Sequence, residues 1–272
     1  MRLIVDSGST KTDWIAIDEN GSIIFETFTL GLNPQVLTEY IIEERIINNY
    51  DLYQNRKKVS KIYFYGAGCG TKPPKDLLSK VLKLIFINSD FDIKEDTYAA
   101  VYSCCKPNEK AIVSILGTGS NCSYFDGKKL NQKVTSLGYV LMDDASGNYF
   151  GRQLLRDYYF NRMSADLENK FKSEFHLEAE VIKDSLYKKP NPNTYLAKFA
   201  KFLVENKNLD YSKQLIRRGF DLFIENQIKQ FENHKNVNLH FVGSIGYYLK
   251  VELKEALDLS LIHISEPTRP YW

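Results

Sequence analysis

The chain has 272 residues and a formal net charge of +2, from 36 basic and 34 acidic side chains. Its 43% hydrophobic and 26% charged residues are typical of a globular protein, which excludes a disordered, collagen-like or coiled-coil chain. The near-neutral charge gives no electrostatic reason to expect a nucleic acid or an anionic membrane as partner, and no apolar run approaches the roughly 18 residues of a membrane span.

The first half of the sequence alternates strand and helix patterns. Short β-rich runs at residues 3–5, 15–17 and 23–28 predict three strands, with Asn20-Gly21 as a hairpin turn between the last two. The elements predicted next are a helix over residues 36–47, a strand over 62–65, a helix over 73–86 with prolines in its first turn, and a helix over 97–104.

The second half begins again with strands. A nearly unbroken apolar run at residues 111–116 predicts a buried central strand. The elements predicted next are a strand over 122–125, helices from 149 to about 230 with breaks near 189–193 and 206–210, a strand over 237–242 and a helix over 247–257. Both halves open with strand, glycine-rich turn and strand, which predicts an α/β protein with two sheets that divides near residue 105.

The predicted domains are therefore residues 1–105 and residues 106–258, the second with a helical insertion. The segment 259–272, LSLIHISEPTRPYW, resembles translated cloning or sequencing-adapter sequence, so we expect a non-native tail. An ordinary disordered tail is the alternative. The first residues, MRLIVDSGSTKTDW, lack the long apolar segment of a signal peptide, so a cytoplasmic protein is expected.

The four cysteines are Cys69, Cys104, Cys105 and Cys122. They form no C-x-x-C motif and have no ligand-like spacing to a histidine, so the sequence predicts neither a zinc site nor a disulfide framework. Reduced thiols are the simplest expectation for a cytoplasmic protein.

A polar segment between the first two predicted strands reads DSGSTKTD at residues 6–13. Its glycine allows a tight turn, and its hydroxyl and backbone N–H groups can donate hydrogen bonds to phosphate oxygens. The candidate phosphate-binding residues are Ser7, Gly8, Ser9, Thr10, Lys11 and Thr12. Asp6, at the end of the first strand, is a candidate ligand for Mg²⁺, which prefers few carboxylates and several waters. A plain hairpin turn is the alternative, although it rarely needs so many small or polar residues.

Two further glycine turns follow predicted strands in the second half. The sequence LGTGSN at residues 116–121 lies between two strands, and FVGSIG at 241–246 lies between a strand and a helix, whose N-terminus favours anions. The residues that these turns offer to a nucleotide are Gly117, Thr118, Gly119, Ser120, Gly243 and Ser244. The third turn alone would be an ordinary β–α turn. One such loop at the first hairpin of each half is a stronger indication of a nucleotide site, because the two loops together could hold one polyphosphate from two sides.

In order and separation, these three turns resemble the phosphate-1, phosphate-2 and adenosine motifs of the sugar kinase/Hsp70/actin superfamily. Within it the chain most resembles the BadF/BadG/BcrA/BcrD ATPase family and its N-acetylglucosamine kinases. The narrower resemblance rests on GLNP at 31–34, YGAGC at 65–69, LGY at 137–139 and DDASG at 143–147, and the whole covers about residues 1–258. The last block departs from the family's G-D-E-G-S-G pattern, with Met142, Asp144 and Ala145 in place of Gly, Glu and Gly.

The resemblance implies two RNase-H-like, actin-like ATPase domains with a cleft between them. It implies ATP-dependent phosphorylation of an amino sugar, N-acetylglucosamine to its 6-phosphate, with ATP and Mg²⁺ as cofactors. Asn33, Gly138 and Asp143 match positions that bind the sugar, and Asp96, in the context DTYAA, matches the catalytic base. Three of these residues also have a purely structural interpretation. Asp96 and Asp143 could be helix caps, and Asn33 could be a turn residue before proline.

Other functions remain open at this stage. Some members of the same family are ATPases that activate a partner redox enzyme and resemble iron–sulfur proteins, but the cysteine spacing here does not match such a cluster. A glucosamine or N-acetylmuramic acid kinase is a second alternative, and a non-catalytic sugar sensor is disfavoured by Asp6 and Asp96. The expected partner is a small-molecule sugar, with neither nucleic acid nor membrane, and a homodimer is one option for the assembly.

Overall fold

The structure is a computed structural model that describes residues 1–8 and 11–260. Ser9, Thr10 and the predicted tail from residue 261 onward therefore lie outside the described residues. The chain divides into two compact units, Met1–Ala100 and a second one that begins at Val101. This division falls slightly before the predicted one at residue 105. Each unit has its own mixed α/β layout around one sheet.

The first unit contains a five-stranded sheet. Its elements are β1 (Arg2–Ser7), β2 (Lys11–Ile17), β3 (Ile23–Leu30), α1 (Glu39–Ile47), α2 (Tyr50–Asn55), β4 (Lys61–Gly66), α3 (Lys72–Ile85), β5 (Asp90–Glu95) and α4 (Thr97–Cys104), which continues past the division. The strand order is β3-β2-β1-β4-β5, with β2 antiparallel to both neighbours and β1, β4 and β5 mutually parallel. The carboxyl ends of β1, β4 and β5 therefore meet at one edge of the sheet.

Alternation along the strands and periodicity along the helices build the core of the first unit. Leu3 and Val5 on β1 are fully buried, as expected for one face of a strand with period two. On α3, the buried residues are Leu78, Val81, Leu82 and Ile85, which form a single helical stripe. Trp14 lies in the same core and donates from Nε1 to Thr29 Oγ1 at 3.1 Å. This packing holds the carboxyl ends of the central strands in place.

The second unit contains a four-stranded sheet. Its elements are β6 (Ala111–Leu116), β7 (Ser120–Phe125), β8 (Leu130–Asn131), α5 (Gly147–Tyr159), α6 (Ala165–Glu174), α7 (Ala179–Tyr187), α8 (Pro192–Ala197), α9 (Ala200–Glu205), α10 (Asp210–Asn226), a 3₁₀ turn (Ile228–Gln230), β9 (Asn238–Val242), α11 (Ser244–Tyr248) and α12 (Lys250–Leu259). The strand order is β8-β7-β6-β9, with β6 antiparallel to β7 and parallel to β9. This order repeats that of the first four strands of the first unit.

The core of the second unit is rich in phenylalanine. Phe150 on α5 packs edge-on against Phe220 on α10, and both are fully buried. On β9, Leu239 and Phe241 belong to this core. Since side chains alternate along a strand, His240 between them points to the opposite face of the sheet.

Several predicted boundaries shift for local reasons. The first helix begins at Glu39 rather than at residue 36, because the Thr38 side chain accepts a hydrogen bond from Ile41 N and caps it. The helical stretch that begins at residue 147 consists of six short helices before the 3₁₀ turn, more than the two predicted breaks imply. Across the described residues, no helix combines the length and apolar character that a bilayer crossing would need.

Candidate functional site

Two aspartates face each other at the end of the first hairpin. Asp6 on β1 pairs in register with Asp13 on β2, and Asp13 forms an ion pair with Lys11 at 2.6 Å. Burial, followed by the Asp13 carboxylate, raises the pKa of Asp6 to about 6. Two carboxylates opposed in this way repel each other unless a proton or a cation lies near them. The end of this hairpin is therefore suited to a divalent cation.

The turn of this hairpin is closed by short hydrogen bonds. Gly8 N donates to Lys11 O at 2.9 Å, and the Ser7 and Thr12 hydroxyls lie 2.8 Å apart. Ser7 Oγ also accepts from Leu32 N at 3.2 Å. The side chains of Ser7 and Thr12 are therefore buried and engaged in holding the turn. Among the described residues, this leaves Gly8 and Lys11 as the members of the predicted loop that can face a ligand.

Asp96 follows β5 and opens α4. Its backbone N–H donates to Gly66 O at 3.2 Å, its carbonyl accepts from Ala99 N at 2.9 Å, and its Oδ1 accepts from Thr97 N at 3.0 Å. Asp96 thus stands directly before the first residue of α4, and its side chain contacts the first N–H of that helix. Burial, followed by the charges of Glu95 and Asp6, raises the pKa of Asp96 to about 6. A carboxylate with such a pKa is ionised at neutral pH and basic enough to accept a proton.

A loop after β4 lies beside Asn33 and Asp96. A Cβ placed on Gly68 would collide with Asn33 Oδ1, so only a glycine allows this approach. Asn33 Oδ1 accepts from Gln35 N at 2.9 Å, which confirms its role as a turn residue. Burial, followed by the Asp96 carboxylate, raises the pKa of the Cys69 thiol to about 12, so this thiol stays protonated.

In the second unit, the turn after β6 is joined to the start of α5. Gly147 N donates to Gly117 O at 2.7 Å, and Asn148 N donates to Thr118 O at 3.0 Å. The Asn148 side chain donates from Nδ2 both to Thr118 O at 2.7 Å and to Asp143 Oδ2 at 2.9 Å. Fully buried Asn148 therefore connects two motifs that the sequence analysis treated separately.

Asp143 lies against the turn of residues 117–120. A Cβ on Gly119 would lie 2.8 Å from Asp143 Oδ2. Burial raises the pKa of Asp143, while hydrogen bonds from Asn148 and from the Ser120 backbone act in the opposite direction. Asp143 and Ala145 both have positive φ, 69° and 58°. These are left-handed backbone conformations, which glycine adopts most readily.

The remaining predicted positions lie on either side of this turn. Gly138 has φ of 79°, and its carbonyl accepts from Met142 N at 2.9 Å, within the loop that leads to Asp143. Ser146 Oγ accepts from Tyr149 N at 3.2 Å, so Ser146, and not Asp143, is the N-cap of α5. Asp144 Oδ2 accepts from Asn226 Nδ2 at 3.0 Å.

The third glycine turn packs directly under the second. Gly243 has φ of 103°, and a Cβ there would lie 2.5 Å from Leu116 O and 3.1 Å from Gly117 N. A side chain at this position would therefore push β9 away from the end of β6. Ser244 begins α11, which follows at once.

A cavity of about 700 Å³ opens beside these two turns within the second unit. Its floor includes Gly117, Thr118, Ser244 and Ile245. Its size lies within the range of about 300–1,000 Å³ that is usual for small-ligand pockets. The further lining residues, which come mainly from α8 and α9, are Gly147, Thr194, Ala197, Lys198, Ala200, Lys201, Val204, Glu205 and Tyr248.

The sequence analysis missed this helical wall and the charged neighbours of Asp96. Lys198 and Lys201 carry no motif, because helices rich in lysine are usually solvated surfaces. In the first unit, Glu95 has a pKa raised by burial and opposed by the Lys75 charge. An acidic residue directly before a candidate base is a signal that was available in the sequence.

The structure shows two groups of predicted residues, one in each unit. In the first unit, Asp6, Asn33 and Asp96 lie around the carboxyl ends of β1, β4 and β5. In the second unit, the turn of residues 117–120, Asp143 and the turn at Gly243 are joined by direct contacts.

Comparison with solved structures finds a high similarity over nearly the whole chain. The inferred N-acetylglucosamine kinase of Porphyromonas gingivalis is 30% identical, with a TM-score of 0.90 and coverage of 99% of this chain and 95% of that one. The inferred N-acetylglucosamine kinase of Chromobacterium violaceum has 14% identity, a TM-score of 0.70 and coverage of 97% and 93%.

A ROK-family glucokinase from Streptomyces griseus, solved with glucose and AMPPNP, has 14% identity, a TM-score of 0.56 and coverage of 98% and 93%. No family model matches the chain, and no curated protein does. The similarity to the Porphyromonas gingivalis protein extends over both units, and the predicted fold class is confirmed. The chain belongs to the family of sugar kinases with the actin-like ATPase fold.

Proposed function

We propose that this protein transfers the γ-phosphoryl group of ATP to the 6-hydroxyl of N-acetylglucosamine. The observation that carries the proposal is the carboxylate of Asp96, at the edge of the first sheet. Burial and the negative charges of Glu95 and Asp6 raise its pKa to about 6. The Porphyromonas gingivalis relative, itself an inferred N-acetylglucosamine kinase, supports the choice of substrate. The motif resemblance supports narrower membership in the BadF/BadG/BcrA/BcrD family.

In this proposal Asp96 is the general base. Its carboxylate accepts the proton of the sugar hydroxyl, the hydroxyl oxygen forms the new bond to the γ-phosphorus, and the bond to the β–γ bridging oxygen breaks to release ADP. Asp96 is held for this role by Thr97 N and by its own backbone contact to Gly66 O. Asn33, Gly138 and Asp143 are the proposed sugar contacts.

The donor set around Asp6 fits Mg²⁺. The carboxylates of Asp6 and Asp13 face each other on the hairpin, and hard oxygen ligands are those that Mg²⁺ prefers. The raised pKa of Asp6 shows that its negative charge lacks compensation in the protein alone. When bound, the ion would neutralise charge on the phosphates.

The cavity of the second unit is the proposed site of the nucleotide. Gly117, Thr118 and Ser244 all line it, so the turns that resemble the phosphate-2 and adenosine motifs both contribute to the cavity. Gly119 and Ser120 extend the same turn, and Gly243 allows the two motifs to touch. The small residues Ala197 and Ala200 leave room for a flat base. Of the two lysines in the lining, Lys201 is paired with Glu205 at 3.5 Å, so Lys198 is the proposed source of positive charge. Ser7, Gly8, Ser9, Thr10, Lys11 and Thr12 form the proposed phosphate-1 loop.

An ADP-coupled assay over a panel of sugars tests the proposal. We expect turnover with N-acetylglucosamine to exceed that with glucosamine, N-acetylmuramic acid and glucose. The matched control substrate is 6-deoxy-N-acetylglucosamine, which lacks the acceptor oxygen and should give no ADP above background. Phosphorylation of this compound would contradict the assignment of the 6-hydroxyl, and ATP hydrolysis that is independent of any sugar would favour an activator ATPase instead.

A further inference from the structure

Three side chains with metal-binding atoms, none of them part of a motif described above, converge at one place in the second unit. They are Cys105, which follows α4, Glu109, which precedes β6, and His240 in the middle of β9. Their sulfur, carboxylate oxygen and imidazole nitrogen atoms all lie within 4.8 Å of one another. In the sequence, His240 is far from the other two, which is why the spacing of cysteines and histidines did not reveal the group.

Local structure accounts for this convergence. Glu109 N donates to Lys106 O at 3.1 Å, and Lys106 N donates to Glu109 Oε2 at 2.7 Å, so a tight turn brings Glu109 back towards Cys105. Asn108 has φ of 62°, the left-handed conformation that such a turn requires. His240 reaches the group because it points away from the core that Leu239 and Phe241 enter.

The distances suit a tetrahedral metal ion. Zinc binds sulfur at about 2.3 Å and nitrogen or oxygen at about 2.0–2.2 Å, so its ligand atoms lie about 3.3–3.8 Å apart. His240 Nε2 and Glu109 Oε1 are 2.9 Å apart, and the widest separation in the group is within 4.8 Å. Adjustments of about 1 Å or less, relative to the zinc geometry, would let all three bind one ion. A thiolate, an imidazole and a carboxylate together are a donor set that favours zinc over magnesium or calcium.

The group also has the outer contacts that orient metal ligands. Asn238 Nδ2 donates to Glu109 Oε1 at 2.7 Å, and the Lys106 N–H holds the other carboxylate oxygen. The His240 and Glu109 side chains are only 8% and 14% exposed, so water competes weakly for them. Cys104 Sγ, a further soft donor, lies 3.9 Å from Cys105 Sγ.

We propose that Cys105, Glu109 and His240 form a zinc-binding site in the second unit that is separate from the phosphoryl-transfer site. Zinc would take the place of the proton shared by His240 and Glu109 and would link the turn before β6 to β9. Its role would be to fix the turn of residues 105–109 against the β6–β9 pair, and the fourth tetrahedral position would be filled by water or by Cys104.

Cobalt substitution tests this site directly. The full-length protein, stripped of metal with a chelator and kept reduced, would be titrated with CoCl₂ and then with ZnCl₂. We expect one equivalent of Co²⁺ per chain, a thiolate-to-cobalt charge-transfer band in the near ultraviolet, and loss of that band when zinc is added. Absence of the band, or of binding at one equivalent, would overturn the proposal.

Variants identify the ligands. Cys105→Ser should abolish the charge-transfer band. His240→Gln and Glu109→Gln each remove a ligand, so each should lower the affinity for cobalt by about 10–100-fold or more, the loss that is typical when an outer contact is removed. Asn238→Ala keeps all three ligands and should weaken binding by about 10–100-fold. The matched controls are Cys122→Ser and His234→Gln, which should bind cobalt as the unaltered protein does.

Circular dichroism of each variant separates loss of binding from loss of folding. If buried His240 proves necessary for folding, the Cys105→Ser variant still tests the site. Cys105 is only partly buried and follows the end of α4, and the substitution replaces only sulfur by oxygen. A Cys105→Ser protein with an unchanged charge-transfer band would show that the thiolate ligand is elsewhere, and the site would be rejected.

Discussion

At the scale of single residues, Asp96 combines a structural and a proposed chemical role. Its Oδ1 accepts from Thr97 N at the start of α4, and its pKa is raised to about 6. An asparagine can keep the first role, because its amide oxygen accepts the same hydrogen bond, but it cannot accept a proton. Asp96→Asn therefore separates the two roles.

We predict that Asp96→Asn lowers kcat by about 100-fold or more, the usual effect of losing a general base. The affinities for ATP and sugar, measured by calorimetry, should change by only a few-fold. Asp92→Asn, on the strand β5 that precedes Asp96, is the matched control, since Asp92 is paired with Lys94 at 3.0 Å and its replacement should affect neither quantity. Near-normal turnover of Asp96→Asn would contradict its assignment as the base.

The raised pKa of Asp6 predicts a pH-dependent effect on stability. Its folded-state pKa of about 6 lies above the ordinary 3.8, so the folded protein bears a penalty above pH 6 that is relieved as the pH falls towards 3.8. Without metal, Asp6→Asn should raise the free energy of unfolding at pH 7.5 by up to about 3 kcal/mol. Denaturant unfolding at pH 7.5 and at pH 4.5 measures it, and the gain should shrink at the lower pH. The Asp6→Asn protein should also lose Mg²⁺-dependent activity. If the substitution raised the free energy of unfolding equally at pH 7.5 and at pH 4.5, the charge of Asp6 would not be the cause.

At the scale of elements, the junction of β6, β9 and the two turns of the second unit depends on one backbone position. We predict that Gly243→Ala destabilises the protein by several kcal/mol or prevents its folding, because the new Cβ would lie 2.5 Å from Leu116 O and φ is 103°.

The matched control is Gly246→Ala. A Cβ at Gly246 would lie 3.6 Å from its nearest neighbour, Phe241 Cβ, which is an ordinary contact inside α11. Its melting temperature should stay within a few degrees of that of the unaltered protein, and nucleotide affinity should be retained. Equal stability of the two variants would contradict the proposed dependence on Gly243.

Sequence reasoning succeeded where pattern and turn chemistry agree and failed where tertiary contacts decide. The strand at Ala111–Leu116 and the helix at Thr97–Cys104 were predicted to the residue. The strand β5 was missed because DFDIKE has only two apolar residues, Phe91 and Ile93, and is otherwise charged, so its alternation is too short to stand out. The wall of the cavity formed by α8 and α9 was missed, because these helices line the cavity only through their packing against α5.

At the scale of the whole molecule, the two units have separate hydrophobic cores. One core contains Leu3, Trp14 and Phe64, and the other contains Phe150, Phe220 and Phe241, with no residue in common. We predict that scanning calorimetry of the ligand-free protein gives a calorimetric enthalpy larger than the van't Hoff enthalpy, as expected when domains unfold separately.

Ligands should then act on different parts of the transition. AMP lacks the polyphosphate that the loop of the first unit is proposed to hold, so at 100 times its dissociation constant it should stabilise the second unit alone by about 2.7 kcal/mol and shift one component of the transition upwards. Asp96→Asn should leave this shift unchanged, because Asp96 lies in the first unit. A single two-state transition that moves as a whole with nucleotide would contradict independent unfolding.

The positive φ values of Asp143 and Ala145 have a consequence for recognition. Ala145 in this conformation costs about 1–2 kcal/mol, whereas an aspartate such as Asp143 adopts it at a lower cost because its short polar side chain can hydrogen-bond locally. Glycines at such positions would remove the strain but would let the unbound loop sample many more backbone states. If Asp143 binds the sugar as proposed, a loop without glycine at these two positions has less backbone entropy to lose on binding, which favours a ligand that fits the loop in this conformation.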